Sequence, residues 1–250
     1  MSKLLNKVSD VTVLFWVIKI ISTTIGETSA DFFSHKFGMG ALVIVSILLA
    51  TSAFIQMRFK RYVPWMYWGV IVIMAVFGTM FADWLRKSCG IPLEVTSGGF
   101  LVLLFITLSV WYMVEKSLDT DNINTTRREI FYWLVIFITF ALGTAAGDLV
   151  ADNFHLGYLN ATLVFGAIMV IIPAVLYLLK INSVALFWIT YILTRPFGAS
   201  GGDLLSHPVQ KGGFGYGTGT TSLAVTGIML LLIIYLTVTH KKEMDIEEHI

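Results

Sequence analysis

Long uncharged stretches alternate with short polar connections along almost the whole chain. Six stretches contain no Asp, Glu, Lys or Arg: residues 38–57, 62–82, 95–114, 130–147, 156–179 and 212–239. Each is about as long as the roughly 20 residues that an α-helix needs to cross the hydrocarbon core of a bilayer. Residues 11–30 and 181–202 have the same length but are interrupted by a few charges. The pattern therefore predicts an all-α polytopic membrane protein with eight transmembrane helices.

The composition supports a membrane protein and excludes several other classes. Apolar residues make up 56% of the chain and charged residues only 13%, whereas soluble domains contain about 25% charged residues. The single cysteine, Cys89, excludes a disulfide framework. Because there is no basic tract, we expect no nucleic-acid partner. The expected surroundings are a lipid bilayer.

The distribution of basic residues predicts the orientation of the chain. Lys and Arg concentrate at the two termini and in the connections after the second, fourth and sixth predicted spans. The positive-inside rule then places both termini in the cytoplasm. Residues 115–129 form the longest of these cytoplasmic connections and divide the single membrane domain, residues 1–250, into two halves.

A motif that starts at a tryptophan recurs four times. Trp16, Trp68, Trp133 and Trp188 are each followed by a Gly ten residues later and by an Asp fifteen residues later. The endings are GETSAD, GTMFAD, GTAAGD and GASGGD, so all four fit Trp-x9-Gly-x3-(Ala/Gly)-Asp. Such regular spacing indicates an internal repeat.

Each repeat contains two predicted spans, an odd-numbered helix with the motif and a more apolar even-numbered helix. We place the repeats at residues 11–57, 62–114, 128–179 and 182–239. A two-span unit returns the chain to its starting side, so the copies are parallel repeats. The four Asp residues then lie at the external ends of their helices, and the Trp residues are expected near the cytoplasmic interface, which favours such rings.

The motif spacing also predicts how the odd-numbered helices pack. Offsets of 3, 7, 10 and 14 residues from the Trp fall on one helix face. In the first repeat this face holds Lys19, Thr23, Gly26 and Ala30, with Glu27 beside it. Small residues four apart let two helix backbones approach closely in a membrane. We therefore expect the odd-numbered helices to cluster through these faces, so that their acidic ends meet.

With this repeat, the chain resembles the bacterial integral-membrane proteins that are built from four tandem copies of a two-helix repeat of unknown function with a characteristic Trp. The resemblance covers about residues 11–239. It implies a multi-pass protein of the bacterial cytoplasmic membrane. It implies no particular activity, so the chemistry must be inferred from the residues.

Polar side chains collect at the predicted external end. The residues that we expect to bind a substrate or ion are Glu27, Asp31, Asp83, Asp148, Asp152, Asp203, Thr23, Lys19 and Arg195. The candidate metal ligands are Glu27, Asp31, Asp148, Asp203, His35 and His207. Carboxylates with imidazoles suit a hard or borderline divalent cation. The alternatives remain that the acids are solvated helix ends and that the two histidines are loop residues.

The stretch TRPFGASGGDLLSHP, residues 194–208, is unusually polar for a membrane span. Pro196 lacks the backbone donor that a helix interior needs, and the following GASGG has low helix propensity. We therefore expect the seventh span to kink or break there. A broken helix at membrane depth lines a watery cavity or is buried in protein, and transporters build ion sites in this way. A purely structural kink is the alternative.

These features favour a secondary transporter, most economically a proton-coupled exporter of a cation, with a divalent metal such as Mn²⁺ preferred. Protons and cations compete for the same carboxylates, which supplies the coupling. We expect no cofactor and no enzymatic activity. The alternatives are an ion channel, an intramembrane enzyme or assembly factor, or a transporter of organic ions or anions that uses Lys19 and Arg195. A homo-oligomer is left open.

Overall fold

The computed structural model describes residues 6–247, apart from the side chains of residues 152, 211 and 241–247. The helices are α1 (Val13–Phe37), α2 (Met39–Arg58), α3 (Pro64–Lys87), α4 (Leu93–Glu115), α5 (Thr126–Asp148), α6 (Gly157–Leu178), α7 (Ser183–Ser206) and α8 (Thr218–Glu247). A π-helical turn, Leu149–Asn153, follows α5. Within these residues there is no strand, so the all-helical prediction is confirmed.

Seven of the described helices are long and apolar enough to cross a membrane, and α7 is the exception. It has 24 residues, as many as α3, but Thr194, Arg195, Ser200 and Asp203 lower its hydropathy. All four of these side chains are buried in the protein. The polar residues of α7 therefore face neighbouring helices. They make α7 less apolar than the other seven helices, although it has the length of a transmembrane helix.

The four odd-numbered helices form a closed ring. Helix α1 packs against α3, α3 against α5, α5 against α7, and α7 back against α1. The even-numbered helices lie outside: α2 packs on α3, α4 on α5, α6 on α7, and α8 on α1. Each even-numbered helix thus covers the odd-numbered helix of the following repeat, and the last one covers the first. The ring is the core of the fold.

The glycines of the repeat motif lie at the contacts within this ring. A Cβ added to Gly26 would lie 2.5 Å from the Cβ of Ala75 on α3, and one added to Gly78 would lie 2.7 Å from the Cβ of Phe140 on α5. Gly143 faces the side chain of Arg195 on α7 just as closely. Each repeat therefore uses its glycine to bring its odd-numbered helix against the next one.

Gly198 completes the set, because a Cβ there would overlap the side chain of Thr23 on α1. Of the kink or break expected at Pro196, the break is wrong, since the helix runs through Pro196 without interruption. Hydroxyls from α1 support this segment: Thr23 Oγ1 lies 3.4 Å from the carbonyl oxygen of Thr194, and Thr24 Oγ1 donates to that of Gly198 at 3.2 Å. Close packing on α1 offsets the low helix propensity of the glycines.

Three of the four repeated tryptophans are covered by protein, while their expected depth near the cytoplasmic interface stays a prediction. Trp68, Trp133 and Trp188 are buried inside the protein rather than exposed to lipid headgroups. Trp68 Nε1 donates to the hydroxyl of Tyr62, and Trp188 Nε1 donates to the carbonyl of Leu118. The large indole side chains instead fill one end of the ring of helices, the end opposite the motif aspartates.

The N-terminal segment before α1 closes that same end. Asn6 donates to the carbonyl of Thr120 and accepts from the backbone amide of Ile123. Lys7 Nζ forms a buried ion pair with Glu129 at the start of α5, at 2.6 Å. The ring is therefore covered by protein at the end where its odd-numbered helices begin.

Candidate functional site

The opposite end of the ring contains a polar cavity of about 250 Å³. We call it the acidic cavity; its lining residues are Glu27, Asp31, His35, Asp83, Arg86, Lys87, Asp148, Tyr158, Asp203 and His207. All four motif aspartates are among them, because the parallel repeats place the four helix ends together. Among the described side chains of this lining, five carboxylates face two lysine or arginine side chains, so the lining attracts cations.

Two of the four motif aspartates already have a cationic partner. Lys87 Nζ lies 2.8 Å from Asp83 Oδ2, one turn earlier on α3. Arg86 Nη1 lies 2.8 Å from Asp148 Oδ2 on α5. Both basic residues of the cavity are therefore engaged on the side formed by α3 and α5.

The other two motif aspartates lie together on the side formed by α1 and α7. Ligand atoms of Asp31, Asp203 and His207 all lie within 4.8 Å of one another. Asp203 is only 6% exposed, and its one polar partner within the described residues is His207, whose Nδ1 lies 3.5 Å from Oδ1. In the same part of the chain, Asp31 makes no hydrogen bond or ion pair. We call these three residues the outer triad.

The outer triad has the composition of a divalent-cation site. Two carboxylates and one imidazole offer oxygen and nitrogen ligands, which Mn²⁺ and Zn²⁺ accept. Ligand atoms up to 4.8 Å apart fit around one ion, since metal–ligand distances of about 2.0–2.4 Å allow atoms on opposite sides to lie that far apart. The ring of His207 lies against that of Tyr158 at a tilt of 35°, with centroids 4.6 Å apart, and this contact holds the imidazole in place.

The structure separates the remaining predicted ligands. His35 lines the cavity but is exposed and is not part of the outer triad. Asp152 belongs to the π-helical turn after α5, and its side chain lies outside the described residues. Thr23, Lys19 and Arg195 are fully buried below the cavity rather than in its wall.

Arg195 and Glu27 form the floor of the acidic cavity. Arg195 Nη2 lies 3.3 Å from Glu27 Oε2 and donates to Thr144 Oγ1 at 2.7 Å and to Thr79 Oγ1. Nη1 donates to the carbonyl of Thr23 at 3.0 Å, and Nε donates to that of Phe140 at 3.2 Å. The guanidinium thus bridges all four odd-numbered helices and blocks the axis of the ring.

Lys19 lies one turn before Thr23 on α1, on the far side of Arg195 from the acidic cavity. It is fully buried, and within the described residues its Nζ has no hydrogen-bond partner. The ammonium instead lies 3.9 Å from the ring centroid of Phe140 and 4.0 Å from that of Tyr191. The aromatic faces partly compensate for the lost hydration of the charge. Two buried basic side chains therefore follow one another inside the ring of helices.

Sequence reasoning missed Thr79 and Thr144, although a signal was present. Glu27, Thr79, Thr144 and Ala199 each follow the motif glycine directly. The ring therefore brings them to one level, and three of the four supply oxygen atoms there. Comparing the same motif position across the four repeats would have identified both threonines.

The comparisons with known proteins agree with this repeat architecture. The family described as "Repeat of Unknown Function (DUF347)" matches residues 14–62, 66–117, 131–182 and 186–242. Each match begins two residues before one of the repeated tryptophans. The resemblance to four tandem repeats of unknown function is thus confirmed. No curated protein matches the chain, and no solved structure matches it.

Proposed function

The chain belongs to the DUF347 repeat family, whose function is unknown, and we propose that this member is a secondary transporter that exchanges a divalent cation for protons. The observation that carries the proposal is the outer triad: Asp31, Asp203 and His207 converge in a cavity, where Lys87 pairs with Asp83 and Arg86 pairs with Asp148. A cation that enters the cavity finds two carboxylates and an imidazole with ligand atoms within 4.8 Å of one another.

The buried side chains that fill the centre of the ring of helices favour a transporter over a channel. Below the cavity, a permeating cation would meet the buried charges of Arg195 and Lys19 and then the aromatic layer. An open pore needs a continuous wet path, whereas a transporter alternates between states with access from one side. In the proposed cycle, the described state has its site open at one end only.

Orientation and coupling follow from the same proposal. We assign α7 as a membrane span in addition to the seven apolar helices and place both termini in the cytoplasm by the positive-inside rule, so that the acidic cavity faces outward. Carboxylates and imidazoles bind a metal only when they are deprotonated, so cation binding releases protons. Export of Mn²⁺ or a similar cation against entering protons is the specific hypothesis.

Proteoliposomes that contain a trapped pH dye test the proposal. Mn²⁺, Ca²⁺, Mg²⁺, Zn²⁺, Na⁺ and K⁺ are added in turn to wild-type protein, to Asp203→Asn and to the control Asp10→Asn. Asp10 is exposed and precedes α1, at the opposite end of the ring. We expect a proton signal with a divalent cation that is lost in Asp203→Asn and kept in Asp10→Asn. Silence for every cation, from folded wild-type protein, would reject cation/proton exchange.

Transport of an organic anion is the second candidate, and one observation favours it. The ammonium of Lys19 lacks any hydrogen-bond acceptor within the described residues, as expected of a group that meets an anionic substrate during a transport cycle. The distinguishing variant is Lys19→Gln. Loss of substrate binding in Lys19→Gln, with Asp203→Asn unaffected, would favour the anion transporter over the cation transporter.

A further inference from the structure

We propose a second, inner cation site, formed by Glu27 Oε2, Thr79 Oγ1 and Thr144 Oγ1, which the guanidinium of Arg195 occupies in the described state. The inference rests on the proposed cation transport and adds the step that follows the outer triad. In this scheme, Arg195 is a built-in substitute for the transported ion, and it must withdraw before the ion moves inward.

The three oxygen atoms form a nearly equilateral triangle. Thr79 Oγ1 lies 3.3 Å from Glu27 Oε2, Thr144 Oγ1 lies 3.3 Å from the same oxygen, and the two hydroxyls are 3.1 Å apart. The side chains come from α1, α3 and α5, three of the four helices of the ring. All three are buried, with exposed fractions of 4% or less.

The size of the triangle is compatible with a divalent cation. In a regular octahedron, the edge between neighbouring ligands is √2 times the metal–ligand distance, so edges of 3.1–3.3 Å correspond to about 2.2–2.3 Å. This value lies above the roughly 2.0–2.1 Å that Mg²⁺ requires and at the short end of the range for Ca²⁺. Octahedral oxygen sites hold Mg²⁺, Ca²⁺ or Mn²⁺, and an ion of intermediate size such as Mn²⁺ fits these edges.

Arg195 provides independent evidence that this position accepts positive charge. Its Nη2 contacts all three oxygens, at 2.7 Å for Thr144 and 3.3 Å for Glu27, and also Thr79. The rest of the guanidinium is held elsewhere, by the carbonyls of Thr23 and Phe140. A cationic nitrogen therefore already lies on the oxygen triangle, and a metal ion and Nη2 cannot share it because like charges repel.

Glu27 is the natural link between the two sites. It lines the acidic cavity together with Asp31 and Asp203 while its Oε2 belongs to the triangle. An ion that leaves the outer triad meets Glu27 as the carboxylate of the cavity floor. Its positive charge then weakens the attraction between Glu27 and Arg195. Waters from the cavity would complete its coordination.

The test counts bound Mn²⁺ by equilibrium dialysis and electron paramagnetic resonance on the purified full-length protein. Wild type is expected to bind one Mn²⁺ at the outer triad, and Arg195→Met is expected to bind two, because the side chain that fills the inner site no longer carries a charge. Adding Thr79→Val and Thr144→Val to Arg195→Met should return the count to one. A count for Arg195→Met that stays equal to that of wild type overturns the inner site.

A second variant covers the case in which Arg195→Met does not fold. Thr79→Val with Thr144→Val keeps the side-chain shapes and removes two of the three oxygens, while Thr107→Val on α4 is the matched control. We expect Mn²⁺ transport to fall at least tenfold in the double variant, with the affinity of the outer triad unchanged and the control as active as wild type. Transport by the double variant within twofold of wild type overturns the inner site.

These outcomes separate failure of the inner site from failure of the proposed function. If the inner site is absent, wild type still exchanges Mn²⁺ for protons, and Asp203→Asn still abolishes the exchange. If the proposed function is wrong, wild type shows no exchange with any cation, whatever the variants at Arg195 bind.

Discussion

Replacing Gly26 with Ala tests the close approach of α1 and α3, on which the geometry of the cavity floor depends. The new Cβ would lie 2.5 Å from Ala75 Cβ and 3.0 Å from the carbonyl carbon of Ala75, where ordinary contacts are 3.4–4 Å. Neither atom belongs to a flexible side chain. The two helices must therefore separate by about 1 Å, and overpacking of this kind costs about 1–3 kcal/mol.

Gly99→Ala is the matched control for this substitution. Gly99 also lies inside a helix, α4, but nothing lies within 4 Å of a Cβ added there. Both substitutions gain about 1 kcal/mol of helix propensity, so their difference isolates the overlap at Ala75. Taking about 2 kcal/mol for that overlap, Gly26→Ala should unfold about 4–8 °C below Gly99→Ala.

The assay is thermal unfolding in detergent, followed by tryptophan fluorescence, for the two variants and wild type under identical conditions. Gly26→Ala should also reduce Mn²⁺ exchange, because it displaces the neighbouring Glu27. Equal unfolding temperatures for the two alanine variants would refute the close packing of α1 on α3, and with it the geometry of the cavity floor.

Three further substitutions test buried charges by the same unfolding assay. Glu27→Gln leaves Arg195 buried without its counter-ion but with its other hydrogen bonds. We therefore expect the free energy of unfolding to fall by about 3 kcal/mol, near the lower end of the usual range for a broken buried ion pair; a fall below about 1 kcal/mol would contradict the pairing. Lys19→Met should raise the unfolding temperature, because an apolar side chain of similar length replaces an ammonium that lacks an acceptor; a decrease would show that the charge stabilises the fold. Lys7→Met should lower the free energy of unfolding by about 3 kcal/mol, because it leaves Glu129 buried without its ion-pair partner. An unchanged unfolding temperature would show that this ion pair does not stabilise the end of the ring where the odd-numbered helices begin.

The sequence predicted the repeats, the helical class and the meeting of the acidic helix ends, because these depend on local spacing. A Gly ten residues after each Trp places one small residue at the same level of each odd-numbered helix, and an Asp five residues later lies at each helix end. Symmetry alone then brings the four ends together. No long-range information was needed for these features.

The sequence could not predict how the charged residues pair. Whether Arg195 meets Asp203 on its own helix or Glu27 across the ring depends on how closely α7 packs on α1 and α5. That distance is set by Gly143 and Gly198, whose missing Cβ atoms make room for Arg195 and Thr23. The same packing keeps α7 helical through Pro196, a result that local propensity did not predict.

The buried tryptophans show the same limit. An amphipathic ring near a helix end is favoured at a membrane interface, and the sequence contains no sign that Trp68 is instead covered by protein. Burial depends on the N-terminal segment and on the connection after α4, which close that end of the ring. Only the tertiary arrangement shows this.

The most direct test of the proposed cation site is a crystal structure of the protein grown with Mn²⁺, with anomalous diffraction recorded to locate the metal. We expect an anomalous peak bounded by Asp31, Asp203 and His207, within about 2.0–2.4 Å of their ligand atoms. Absence of a peak there, at an Mn²⁺ concentration that supports exchange in proteoliposomes, would rule out the proposed site, as would a peak located only elsewhere on the protein.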